Sequence, residues 1–156
     1  MKEIPLTQGR VSIVDDENYN EISKHRWFYG GRGYAVRNVK KDNGIYTMRR
    51  MHLIIIGETN GLEVDHINGN KLDNRRDNLR LATHAQNIYN KGSNGGSSKY
   101  KGVSWNKEKR KWVAHIKILG KYLFLGYHKI EEDAAMAYDI AATRMCGEYS
   151  RLNVII

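Results

Sequence analysis

Residues 62–91, LEVDHINGNKLDNRRDNLRLATHAQNIYNK, set a carboxylate beside an imidazole at Asp65-His66 and follow them with carboxamides. A neutral imidazole takes a proton from water near pH 7. A carboxylate and an amide oxygen are hard donors that suit a magnesium-type cation, and such a cation keeps coordination places for water and a phosphate. An activated water, a cation on the developing charge and an open site are the needs of phosphodiester hydrolysis.

Short elements must hold these groups. A strand is expected over residues 62–67, because Leu62, Val64 and His66 fall on one face and Glu63, Asp65 and Ile67 on the other. Asn68-Gly69-Asn70 is a turn signal. Leu79-Arg80-Leu81 alternates again and reads as a second short strand. Thr83-His84-Ala85-Gln86 is a capping-box pattern, with Thr83 as the cap and Gln86 reaching back, which predicts a helix from about His84 to Asn90. Asn87 falls in its first turns, near enough to the strands to aim at Asp65 and His66. Asn68, Asn70, Asn74 and Asn90 read as turn or surface residues.

The segment resembles the HNH endonuclease family, whose ββα-metal motif has this layout, and within it the phage and intron homing enzymes with Asp-His, then Asn, then Asn. The resemblance implies that His66 is the general base and that Asn78 is the middle asparagine supporting the loop and the site geometry. It implies Asp65 and Asn87 as ligands of one divalent metal ion, Mg²⁺, with Mn²⁺ able to substitute. His84, three residues before Asn87, is a rival for the helical ligand. No CxxC pair is present, which excludes the zinc-stapled version of the family.

The length, 156 residues, allows one ordinary domain or two small ones. No apolar run approaches the roughly 20 residues of a membrane span. MKEIPLTQGR lacks the apolar stretch of a signal peptide. The single cysteine, Cys146, allows no internal disulfide. These features predict a cytoplasmic protein that is not secreted, with no membrane association and no obligatory protein partner. The net charge of +9 favours a polyanionic partner. Charge is concentrated in residues 99–121, where eight basic residues meet one acidic residue and aromatic side chains are interleaved.

Ahead of the motif, residues 10–14 read as a strand, residues 15–24 as a helix with acid at its start, and Trp27-Phe28-Tyr29 as a strand. Residues 34–37 and 45–48 read as a hairpin around Asp42-Asn43-Gly44, and residues 49–56 as a short, largely buried helix or strand, with helix preferred. His52 reads as structural packing. Arg32, Arg37, Lys40, Lys41, Arg49 and Arg50 could line DNA near the active centre.

Residues 92–98, GSNGGSS, have nothing to bury and predict a flexible linker. After it come strands near residues 103–105, 111–118 and 122–127, then a helix opened by Glu131-Glu132-Asp133 and stopped at Gly147, with a mostly alanine face. Tyr100-Lys101-Gly102-Val103, Trp112-Val113-Ala114, Leu125-Gly126, Glu132-Asp133-Ala134-Ala135 with Ala137-Tyr138-Asp139, and Leu152-Asn153 resemble the APETALA-two/ethylene-response-factor DNA-binding domain. The resemblance implies a sheet laid in the major groove, with Lys101, Ser104, His115, Lys117, Tyr122 and Phe124 on the DNA face and Trp105 close by. Lysine lacks the guanidinium fork, so the plant target sequence does not carry over.

The expected fold is α+β. Residues 1–91 form an HNH nuclease domain with its ββα-metal motif at 62–91, 92–98 a linker, and 99–156 a three-stranded antiparallel sheet on one helix. The function implied is a site-preferring DNA endonuclease of nicking or homing type, using one metal and tethered to double-stranded DNA by its second domain. The alternatives are a catalytically inactive DNA-binding regulator and, with less support, an RNA-binding protein.

Overall fold

The structure, a computed structural model, describes residues 1–93 and 95–155. Asn94, in the expected linker, lies outside the described residues. The chain divides into two compact units, Met1–His84 and the residues from Ala85 onward.

In the first unit, β1 (Lys2–Pro5) and β2 (Val11–Val14) form an antiparallel hairpin. The sequence reading gave no strand at β1, where Ile4 alone turns inward and Pro5 ends the run. α1 (Asp16–Ile22) begins with the expected acidic pair and closes two residues early, at Ile22. Below Ile22 the chain turns so that the Trp27 indole donates to the Ile22 carbonyl at 2.8 Å. β3 (Phe28–Tyr29), β4 (Ala35–Lys40) and β5 (Tyr46–Arg50) make an antiparallel sheet with β4 in the middle. β5 runs directly into α2 (Met51–Ile56), the expected buried helix, where Met51, His52 and Ile55 face inward. One apolar core gathers Ile4, Val14, Ile22, Trp27, Ala35, Met51, Ile55, Val64 and Leu79.

β6 (Glu63–His66) and β7 (Leu79–Ala82) pair antiparallel, with Asp65 opposite Arg80 and His66 opposite Leu79. The long connection between them is strapped to β2. Ile13 N donates to the Leu72 carbonyl and Asn74 N to the Ile13 carbonyl, each at 2.8 Å. A loop that would otherwise sample many conformations is therefore hydrogen-bonded along its length.

α3 (His84–Tyr89) starts at the last residue of the first unit, and the rest of it belongs to the second. There its end is tied down: the Tyr89 carbonyl accepts from the Lys101 ammonium and from Arg151 N, and Leu119 N donates to the Tyr89 hydroxyl at 3.2 Å. β8 (Val103–Asn106), β9 (Lys111–Ile118) and β10 (Lys121–His128) form an antiparallel sheet with β9 central, and α4 (Glu131–Cys146) packs on one face of it. Ala114, Ala134, Ala135 and Ala142 are fully buried, and their small side chains let the helix lie close to the strands. Ser97 and Ser98 are not loose. Trp105 N donates to the Ser97 hydroxyl at 2.8 Å, and the Ser98 hydroxyl donates to Glu131 at 2.6 Å. Asn153 laces the C-terminal segment back, accepting from Lys101 N at 2.7 Å and donating to Asp139 at 2.9 Å.

Gly102, at φ +75°, has the tightest environment of the second unit's glycines. A Cβ there would come within 2.0 Å of the Tyr138 ring and 2.6 Å of the His115 carbonyl. Gly102→Ala adds left-handed strain to that overlap and is expected to cost the second unit about 3 kcal/mol or more. A lowered melting temperature of its thermal transition, with the first unit's transition unmoved, is the measurement.

Candidate active site and nucleic-acid interface

His66 is only 5% exposed, at the end of β6. Its Nε2 lies 3.3 Å from the Asn74 carboxamide oxygen. Which way that amide points is settled by its other end, since Asn74 Nδ2 donates to the Ser12 hydroxyl at 2.7 Å and that hydroxyl donates in turn to the Leu72 carbonyl at 2.9 Å. Asn74 therefore presents oxygen to the ring. A neutral His66 carries its proton on Nε2 and leaves the Nδ1 lone pair as its basic position. Asn74 and Ser12 are wholly buried. The expectation that Asn74 is a turn or surface residue is corrected by this burial. Its signal in the sequence was hidden, because the partner that makes it a buried residue is 62 positions away.

Burial depresses the His66 pKa below the ordinary imidazole value, against the opposing pull of the Asn74 hydrogen bond and the Asp65 and Asp73 carboxylates. His52 packs edge-on against it, with ring centroids 5.0 Å apart, and is driven down to about 3, first by burial and then by the His66 and Arg50 charges. His52 is thus the packed residue that its sequence position suggested, and it lies against His66. Tyr34 touches both rings, at 5.1 Å from His52 and 6.0 Å from His66.

Asp65 is 4% exposed, and its Oδ2 accepts from Arg80 Nε and Nη2, both at 2.9 Å. Asn78, also buried, accepts from Asn68 N at 3.0 Å and donates to the Asp73 carbonyl at 2.8 Å, so it braces both sides of the loop between His66 and β7. Asp73 is clamped by Arg75 at 2.6 and 2.7 Å, and that guanidinium holds its pKa down. Asp65, His66 and Asn78 are therefore together in the first unit. His84 pairs with Glu63 at 2.7 Å rather than with Asp65. Asn87 lies three residues further along α3, in the second unit. Among the described residues no group of three or more His, Cys, Asp or Glu side chains could hold a metal ion. The donor set on offer is one carboxylate with carboxamides. That chemistry fits a hydrated hard cation, which needs one or two carboxylates, and not a thiolate-bound one.

In the second unit, register places Lys117 opposite Tyr122 and His115 opposite Phe124, and Ser104 opposite Val113. Alternation along β9 puts these on the face away from α4, where Tyr122 and Phe124 are well exposed. Trp105 is on the other face, its ring 5.0 Å from that of Trp112, which packs on the core beneath α4. Lys101 precedes β8. Burial pulls its pKa to about 8, and its ammonium reaches the Tyr89 carbonyl. Lys101, Ser104, His115, Lys117 and Tyr122 all border one groove of about 370 Å³.

Two strands, a braced loop with a buried Asp-His pair and a short following helix are the frame of a ββα nuclease. The chain belongs to the HNH endonuclease family, with an AP2 domain after the nuclease part: residues 52–89 match the HNH endonuclease family and residues 98–148 the AP2 domain. It is 32% identical over 153 residues to the uncharacterized HNH endonuclease L560 of Acanthamoeba polyphaga mimivirus, across 95% of this chain and 77% of that protein. It is 37% identical over 82 residues to Protein 3.8 of Escherichia phage T7, across 49% of this chain and 68% of that protein. An AP2-like ethylene-responsive transcription factor of Arabidopsis thaliana is 45% identical over 62 residues, 38% of this chain and 17% of that protein. DNA binding follows from the two domains, and the nuclease family works with a divalent metal. No helix among the described residues is long and apolar enough to cross a membrane.

Two outcomes follow from the buried polar contacts. Asn74→Ala removes the donor to the Ser12 oxygen and the acceptor of the His66 ring proton in a dry setting and is expected to cost about 2–3 kcal/mol, read by urea denaturation. His52 is neutral when folded and titrates near its ordinary value when unfolded, so the unfolded state binds more protons below pH 6.5. Stability should therefore be full above that value and fall by about 2 kcal/mol between pH 7 and pH 5 on account of His52, with a flatter slope in His52→Phe.

Proposed function

We propose that the chain is a site-preferring DNA endonuclease of nicking or homing type, with His66 as general base. The observation that carries this reading is the oriented imidazole, whose Nε2 is committed to the Asn74 oxygen. His66 Nδ1 takes a proton from water, and the resulting hydroxide attacks the phosphorus in line with the departing 3′ oxygen. The lowered pKa keeps the ring in its proton-accepting form at neutral pH. Asp65 and Asn87 are the residues proposed to hold one divalent cation, Mg²⁺ or Mn²⁺, which when bound supplies positive charge against the phosphate and the leaving oxygen. Asn78 keeps the loop in shape through its two backbone contacts.

Residues 1–91 are proposed as the nuclease domain, 92–98 as the connection and 99–156 as the module that holds double-stranded DNA through Lys101, Ser104, His115, Lys117, Tyr122 and Phe124, with Trp105, on the other face, no longer among them. Holding the duplex raises the local concentration of the scissile phosphate. One site per chain cuts one strand per encounter, so a monomer nicks. The compartment proposed is the cytoplasm. A catalytically inactive DNA-binding regulator is the second reading. It draws on the Arg80–Asp65 pair, which already satisfies one carboxylate oxygen with a guanidinium.

Supercoiled plasmid incubated with Mg²⁺ separates these readings. The wild-type chain should convert it to the open circle, and His66→Ala should abolish conversion. Asn74→Ala should slow it by about 10–100-fold, the range for residues that orient a site ligand. The acid limb of the wild-type rate should lie below pH 6.5, because the base stays unprotonated to lower pH than a free imidazole. Plasmid left intact by wild type over a range of metals and sequences would leave the regulator.

A further inference from the structure

The first unit holds a cationic feature that the proposed hydrolysis does not use. The Arg50 guanidinium carbon lies 4.8 Å, and the Lys71 ammonium 4.7 Å, from the centroid of the Tyr34 ring. Arg50 ends β5 and Lys71 sits in the braced loop, so two separate elements deliver their cations to one aromatic ring. Other cations near the site are matched by carboxylates, Arg80 by Asp65 and Arg75 by Asp73. Among the described residues neither Arg50 nor Lys71 has an ion pair with a carboxylate, although the Lys71 ammonium donates to the Arg32 carbonyl at 3.0 Å. The ring quadrupole offsets only part of the charge that each cation carries, which leaves each able to take an anion. The same Tyr34 ring is 6.0 Å from the His66 ring, and His52 packs edge-on against His66 at 5.0 Å.

We propose that Arg50 and Lys71, held against Tyr34, each take a backbone phosphate of duplex DNA and so deliver the strand to His66. This rests on the nuclease reading for its consequence, delivery, but not for the binding itself. The two cations are substrate-contacting groups, and Tyr34 is a positioning residue that sets where they stand. Arg50 offers a planar fork of donors to two phosphate oxygens, and Lys71 a point charge with rotatable donors.

Binding of the full-length chain to a fluorescein-labelled duplex is measured by anisotropy in EDTA over a series of KCl concentrations. Each phosphate contact contributes about 0.9 to the slope of log K against log salt. Arg50→Gln with Lys71→Gln is expected to reduce the slope by roughly 1.8, and Arg50→Lys with Lys71→Arg, which keeps both charges, to restore it. An unchanged slope in a double variant that melts like wild type overturns the site. Should the double variant melt early, wild-type lysine acetylation footprinting decides: Lys71 protected by the duplex supports the site, and Lys71 equally reactive with and without DNA overturns it. The metal-free readouts stand apart from cleavage. A wild-type chain that nicks plasmid while the slope is unchanged sinks only this inference. A chain that never nicks, but whose slope falls as stated, sinks only the nuclease reading.

Discussion

The first unit depends most on the orientation of one buried amide. Asn74 can donate to Ser12 and accept from His66 only in the order observed, because the Ser12 proton is already committed to the Leu72 carbonyl. Reversing the amide would set donor against donor at the histidine or acceptor against acceptor at the serine, unless both neighbours changed state. β1 and β2 exist for the site in this sense. Their pairing holds Ser12 at a fixed place under the loop, and the Ile13 backbone binds the loop on both sides of Asp73. The protonation pattern of a residue on β6 is thus decided by a hydroxyl on β2.

Dryness and charge work together around that amide. His66 and His52 are packed edge to face, and burial makes the charged form of each costly. Asp65 is buried nearby, but its charge is already matched by Arg80, so it supports the imidazolium less than an unpaired carboxylate would. A neutral His66 beside a paired carboxylate is the form that the proposed base needs at neutral pH. The arrangement costs stability in acid, where both rings gain protons on unfolding.

Much of this was legible in the chain. Period-two alternation at 62–67 and 79–81 marked β6 and β7, the capping pattern marked α3, and the alanine face with Gly147 marked α4 and its end. The Asp-His pair stood out by its own chemistry, and Asn78 by the resemblance to the HNH family, both within one short segment. What failed to show was whatever depends on a distant partner. Asn74 sits in a polar run that looks like any turn, and only Ser12 and the strapping to β2 make it interior. β1 carries one inward residue, too few to show a period. Trp105 looked like part of an aromatic and basic surface, whereas its register with Trp112 puts it beneath the sheet, because neighbouring residues on a strand face opposite ways. Ser97 and Ser98 had linker composition, yet each hydroxyl has a bond in the second unit.

The second unit's outward face, proposed to hold DNA, has a particular chemistry. Along it stand the Lys117 ammonium, an imidazole, a hydroxyl and the aromatic rings of Tyr122, Phe124 and Tyr127, with Lys111 at one end. None of these carries the guanidinium fork that grips the two acceptors of guanine, while a phenyl ring can pack on a thymine methyl. Aromatic contacts release no counterions, so on the proposed reading what the rings contribute is weakly dependent on salt, and the steep part of any salt dependence must come from the cations. Within the second unit the run Lys107, Lys109, Arg110 and Lys111 lies in and beside the β8–β9 turn, at one end of that face. On the proposed reading, affinity that varies with salt comes from the cations and contacts that vary with base sequence come from the rings, so a change that weakens one leaves the other largely in place.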